Sequence, residues 1–237
     1  MSDDAPNFVE RIVCLANSRK IAGRCVAGKR LGDRSWFRPI SDRPGHEISE
    51  FDRRYSDGKT AQLLDVIEIP CIEERPHGHQ RENVLIDDRF YWEKKGRASW
   101  QDVGALVDPD ADLWTNGFSA YYNRNNRVPE ALIDEDGGSL RLIELDEIVL
   151  HAGPKAPDFG NTKLIVRASF EHRGQRYKLD LTDPEYEAAC LEQGAGEYHL
   201  ESVIACVSLS ELHTNQNGET FAYKLVASII TPERVGA

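Results

Sequence analysis

The chain has 237 residues, 40% of them hydrophobic and 29% charged, with 18 Gly and 11 Pro. This mix excludes collagen-like, coiled-coil and wholly disordered chains, and leaves room for one larger domain or two small ones. The formal charge is −11, with 40 Asp and Glu against 29 Lys and Arg, which taken alone argues against a polyanionic partner.

That average hides a division. Residues 11–43 hold nine Lys or Arg and only two acids, Asp33 and Asp42, so the segment is +7 and the other residues are −18. Ahead of it, Met1 to Pro6 carries two aspartates and no apolar core, unlike a secretory signal. The longest apolar-rich run, Leu225 to Ile230, is far short of the roughly 20 residues that span a bilayer. Five cysteines, odd in number and without a C-x-x-C pair, fit reduced thiols in a cytoplasmic protein.

In chain order, strand candidates in the N-terminal half are 11–15, 24–27, 35–40, 63–70 and 83–87. Ser99 with Asp102 has the spacing to open a helix running to about Val107. Residues 116–138, polar and containing Asn125, Asn126, Gly137 and Gly138, read as a linker between an N-terminal unit (8–115) and a C-terminal one (139–232). The C-terminal half opens with a strand candidate at 140–150. In 163–170, Leu164, Val166, Ala168 and Phe170 alternate on one side. Arg173-Gly174-Gln175 reads as a tight turn into 176–181, where Tyr177, Leu179 and Leu181 share a face. Thr182 and Glu185 have capping-box spacing around Pro184, which predicts a short helix ending at Gly194. Strand candidates at 200–209 and 221–230 follow. The order strand, strand, strand, helix, strand, strand is that of an OB-fold. The reading is mainly β with short helices: two OB-like five-stranded barrels in tandem.

The runs Arg11-Ile-Val-Cys-Leu-Ala-Asn-Ser-Arg-Lys20, Gly23-Arg-Cys-Val-Ala-Gly-Lys29 and Ser35-Trp-Phe-Arg-Pro-Ile-Ser41 resemble the bacterial dual OB-fold domain family. So do Leu179-Asp-Leu-Thr-Asp-Pro184, Cys206-Val-Ser-Leu209 and Tyr223-Lys-Leu-Val-Ala-Ser-Ile-Ile230. The resemblance spans nearly the whole chain. It implies two OB-like barrels and a role in binding nucleic acid, in the setting of bacterial conflict and defence systems. It lends no catalytic residues.

Gly23 to Lys29 has the G-x-x-x-x-G-K spacing of a phosphate-cradling loop, but Arg30 stands where a Mg²⁺-binding hydroxyl is required, and Gly32 and Asp33 interrupt any following helix. A β-hairpin with turn glycines is the better reading. The basic segment has more to offer: Trp36 and Arg38, two apart on a strand, share a face suited to stacking a base and neutralising a phosphate. The expected contacts are Arg19, Lys20, Arg24, Lys29, Arg30 and Arg38, with Trp36 as stacking platform. The bland reading is a core tryptophan with a solvated charged rim. Tyr121-Tyr122-Asn123-Arg124 is a second aromatic–basic cluster, suited either to a single-strand groove or to packing at the domain interface.

Cys71, His77 and His79 match no zinc spacing, and Asp108-Pro-Asp110-Ala-Asp112 lacks the Gly and the closing Glu of a calcium loop. No spacing among Asp87, Asp88, Glu144, Asp146 and Glu147 singles out a Mg²⁺ pair, and no G-x-S-x-G elbow occurs. The sequence therefore points to a non-catalytic protein with no cofactor, no metal and no membrane. It binds nucleic acid, single strands favoured. The acidic C-terminal barrel serves as scaffold or faces a basic protein. A protein-docking module is the competing class.

Overall fold

The computed structural model describes residues 5–20 and 23–236; Met1 to Asp4 of the N-terminal stretch lie outside the described residues. The chain forms two closed barrels. In the first, β1 (Phe8–Arg19), β2 (Arg24–Arg30), β3 (Trp36–Ile40), β4 (Asp65–Glu74) and β5 (Asn83–Ile86) close in the order β1-β2-β3-β5-β4-β1. Every pairing is antiparallel except β3 with β5. A charged strand, β6 (Glu93–Arg97), continues the sheet from β4, and α1 (Trp100–Gly104) follows it. A short strand, β7 (Arg127–Pro129), comes next. The second barrel contains β8 (Leu140–Ala156), β9 (Asn161–His172), β10 (Gln175–Leu181), β11 (Gly196–Leu209) and β13 (Thr220–Ile230). It closes in the order β8-β9-β10-β13-β11-β8, again with one parallel step, β10 to β13. Helix α2 (Pro184–Gln193) connects β10 to β11, β12 (His213–Thr214) pairs with β13, and α3 (Pro232–Val235) ends the chain. Both rings have the connectivity of an OB-fold.

The expected strands and both longer helices exist, with longer strands and a shorter α1 than expected. The cap of α2 is one residue later: the Asp183 side chain, not Thr182, accepts from the amides of Glu185 and Tyr186. At the β9–β10 turn, Arg173 (φ 50°) and Gly174 (φ 71°) are both left-handed, as a two-residue hairpin turn requires. Gly28 has a different reason. A Cβ there would lie 2.1 Å from the Val13 carbonyl oxygen, so the close approach of β1 to β2 admits only glycine. The glycines of the phosphate-loop spacing thus serve the barrel's own backbone.

Each barrel has its own core, around Ile12, Phe37, Ile67 and Trp92 in the first and Ile148, Leu150, Leu179 and Val203 in the second. A third apolar cluster joins them. Val13 and Leu15 of β1 and Ala27 of β2 pack with Leu140 and Leu142 of β8, Ile204 and Cys206 of β11, and Ala227 and Ile230 of β13. Strands β1, β8 and β11 are therefore buried on both faces where the barrels meet. That is why they read as apolar runs and not as clean alternations. The Ser228 hydroxyl donates to the Leu15 carbonyl, and the Arg19 amide to that of Thr182 (3.1 Å), across the same seam.

Residues 116–138 lie along the second barrel: β7 pairs with β13, and Arg124 exchanges backbone hydrogen bonds with Lys178 of β10. Four of the five cysteines are buried, and all are free. Among the described residues no helix is long and apolar enough to cross a membrane.

The shared cluster predicts one cooperative unit. Leu142→Ala should cost about 2–5 kcal/mol, and calorimetry should still show a single transition. Two separated transitions in the parent protein would contradict this.

Candidate nucleic-acid interface

The basic segment does not present a free positive surface. Lys29 is 4% exposed, and its ammonium donates to the Leu106 carbonyl (2.7 Å) and pairs with Asp108. Trp36 lies against the inter-barrel cluster, its indole N–H donating to Asp108 Oδ2 at 3.2 Å and its ring 5.2 Å from the Lys29 ammonium. Asp108 also accepts from the amide of Leu142 at 2.9 Å, so one carboxylate joins β2, β3 and β8. Arg38, also 4% exposed, pairs with Glu82 (3.1 Å) and donates to the Ser139 hydroxyl (2.9 Å), where β8 begins. Trp36 and Arg38 do share a face of β3, with Phe37 in the barrel core. That face is turned to the second barrel, which corrects the expectation that Trp36 stacks a base and that Lys29 and Arg38 reach phosphates.

The other cations are more exposed but paired. Arg19 meets Glu187 at 2.8 Å, Lys20 meets Glu211 at 3.0 Å, and Arg24 meets Glu50 at 3.3 Å. Arg30 lies between Glu10 (3.2 Å) and Glu74 (3.6 Å). Arg11 pairs with Glu68 and Arg43 with Asp52. Eight of the nine cations of residues 11–43 thus face an acid, and all eight of those primary partners but Glu10 lie outside the segment. The exception, Arg34, donates to the Ala105 carbonyl at 3.3 Å. Arg19, Lys20, Arg24 and Arg38 nonetheless come together along a cleft between the barrels.

A different surface has the open aromatic and cationic character. On the outer side of the second barrel, Val149 of β8, Ser169 of β9 and Lys178 of β10 form one cross-strand row. Small side chains at its centre leave a shallow groove of about 800 Å³. Its cations are Arg124, Arg173, Arg176 and Lys178, set against Asp146, Glu147 and Glu171. Arg173 is drawn to Asp112 (3.0 Å) and Arg176 to Glu171 (3.6 Å), whereas neither Arg124 nor Lys178 has an acid within ion-pair distance.

Along its border, Tyr121 and Phe159 are 76% and 71% exposed, with ring centroids 5.5 Å apart and edge to face. Tyr122 completes the cluster: its hydroxyl donates to Asp158 (2.8 Å) and the Arg167 guanidinium lies over its ring at 5.4 Å. The segment bearing the tyrosines is pinned to β10. Asn125 donates to the Arg176 carbonyl at 3.0 Å, and Asn123 to Asp180 at 2.9 Å. His151, outward on β8, has its pKa lowered by burial and by Lys178, so it adds no charge at neutral pH.

The tyrosine cluster and Arg124 were legible as an aromatic–basic motif. Phe159 and the Arg173, Arg176 and Lys178 trio were missed. The available signals were an aromatic inside the turn Pro157-Asp158-Phe159-Gly160 and cations alternating with Tyr177 and Leu179.

Lys224 of β13 sits behind the groove, with no surface exposed. Its ammonium donates to the Thr115 carbonyl (2.7 Å) and to Asn116 Oδ1 (2.8 Å) and lies 5.3 Å from the Tyr177 ring. Burial pushes its pKa down to about 7. Among the described residues no group of three or more His, Cys, Asp or Glu could hold a metal ion.

Two OB rings sharing one apolar seam, with an aromatic–cationic groove on the second, define a tandem OB-fold protein. The family model of the dual OB-containing domain matches residues 10–229, and the chain belongs to that family. No curated protein gives a significant match.

Two predictions follow from these placements. Trp36→Ala should lower thermal stability while leaving affinity for an oligonucleotide unchanged; a selective loss of affinity would return Trp36 to the binding surface. Lys224 has a lower pKa folded than unfolded, so between about pH 7 and 10 the unfolded state binds more protons and stability rises with pH. The parent should therefore gain stability over Lys224→Met across that range. Parallel pH profiles in chemical denaturation would contradict this.

Proposed function

We propose that the protein is a non-catalytic binder of single-stranded nucleic acid that holds the strand across β9 and β10 of its second barrel. One observation carries this reading: two largely exposed aromatic rings stand beside four cations on the face formed by the second and third strands of an OB ring. That is the face on which OB-folds hold oligonucleotides. The chemistry suits a single strand, because exposed rings stack on any base and guanidinium or ammonium groups follow the phosphates. A duplex offers no unstacked bases to those rings. The acids within the groove limit its net charge, so the reading is of local binding and not of general affinity for polyanions.

Fluorescence anisotropy with oligothymidylate and oligouridylate tests it. With up to four phosphate contacts, log K should fall against log salt with a slope of about −2 to −3. Tyr121→Ala and Phe159→Ala should each weaken binding by about 1–3 kcal/mol. Affinity that is flat with salt and indifferent to both substitutions would overturn the proposal and favour a protein partner for this face.

A further inference from the structure

We propose that the cleft between the two barrels is a pocket for a nucleoside monophosphate. It is separate from the groove on β9 and β10, and does not depend on the reading of that groove. Its volume of about 350 Å³ lies at the lower end of the range of about 300–1,000 Å³ for small-molecule sites, which concentrate at domain interfaces. That is room for one nucleotide and not for a strand.

The lining specifies the ligand class. Four cations, Arg19, Lys20, Arg24 and Arg38, face two acids, Glu47 and Glu211, so the cleft favours an anion. Lys20 and Arg24 each hold one acid and keep further N–H donors. Arg38 is nearly buried in the wall, and its Nε has no hydrogen-bond partner. An unpaired buried donor is costly, and a ligand oxygen that reached it would remove that cost. The opposite requirement, an apolar surface for a planar group, is met by Pro39, Leu209 and Leu225. Walls of both kinds come from both barrels, so the site exists only because the barrels are joined. An inorganic anion would use the cations and leave the apolar wall bare. A nucleoside monophosphate uses both.

The test is calorimetric titration of the full chain with adenosine and uridine monophosphates, inorganic phosphate and adenosine. Saturable one-site binding of the monophosphates is expected, with phosphate alone and adenosine alone each at least about tenfold weaker. Ser208→Phe, which fills the cleft from β11, should abolish binding. Lys20→Ala, which removes one charge-assisted donor, should weaken it roughly tenfold. Should Ser208→Phe fail to fold, Lys20→Ala decides alone. No saturation by either monophosphate, unchanged binding in Lys20→Ala, or inorganic phosphate binding as tightly as the monophosphates would overturn the proposal.

Discussion

The outer face of β1, β2 and β3 in the first barrel is buried against the second, and the rest of the molecule follows from that contact. Its polar centre is Asp108, which accepts from Lys29, Trp36 and the amide of Leu142. Its apolar part runs from Val13 and Leu15 to Ile204 and Ile230. In an OB ring the second and third strands supply the binding face. Here the first barrel gives up much of that face to its neighbour. The second barrel makes the contact through β8, β11 and β13 instead, which leaves the outside of β9 and β10 open.

The same contact explains the charge pattern. A +7 segment inside an otherwise acidic chain looks like a binding stripe in one dimension. In three dimensions its cations find Glu and Asp side chains brought from distant positions, such as Glu187 on α2 and Glu82 before β5. The exposed pairs contribute little each. The buried Lys29–Asp108 and Arg38–Glu82 pairs matter more, because removing one partner strands a charge in a dry interface. The positive character left available for a ligand lies in the groove of the second barrel and, in smaller measure, along the inter-barrel cleft.

Much of the fold was legible because barrel strands carry a period of two. Val166, Ala168 and Phe170 against Tyr177, Leu179 and Leu181 marked β9 and β10, and Arg173-Gly174 marked the turn between them. The shared face of Trp36 and Arg38 was legible too. What covers that face was not, since burial by another barrel is a long-range fact that no local period encodes. The pairing of Arg19 or Lys20 with acids about 170 to 190 positions away is equally invisible. The groove was half visible: the tyrosines stood out as a cluster, while Phe159 joins them only because the β8–β9 loop folds beside residues 121–122.

The central claim is that the second barrel's open face, and not the basic N-terminal segment, meets the nucleic acid. Hydrogen–deuterium exchange of the full chain with and without oligothymidylate tests it most directly. The account predicts protection concentrated at residues 119–126, 157–161 and 169–178, with 24–40 unchanged. Protection centred on 24–40, with the tyrosine segment and the β9–β10 hairpin unaffected, would contradict it.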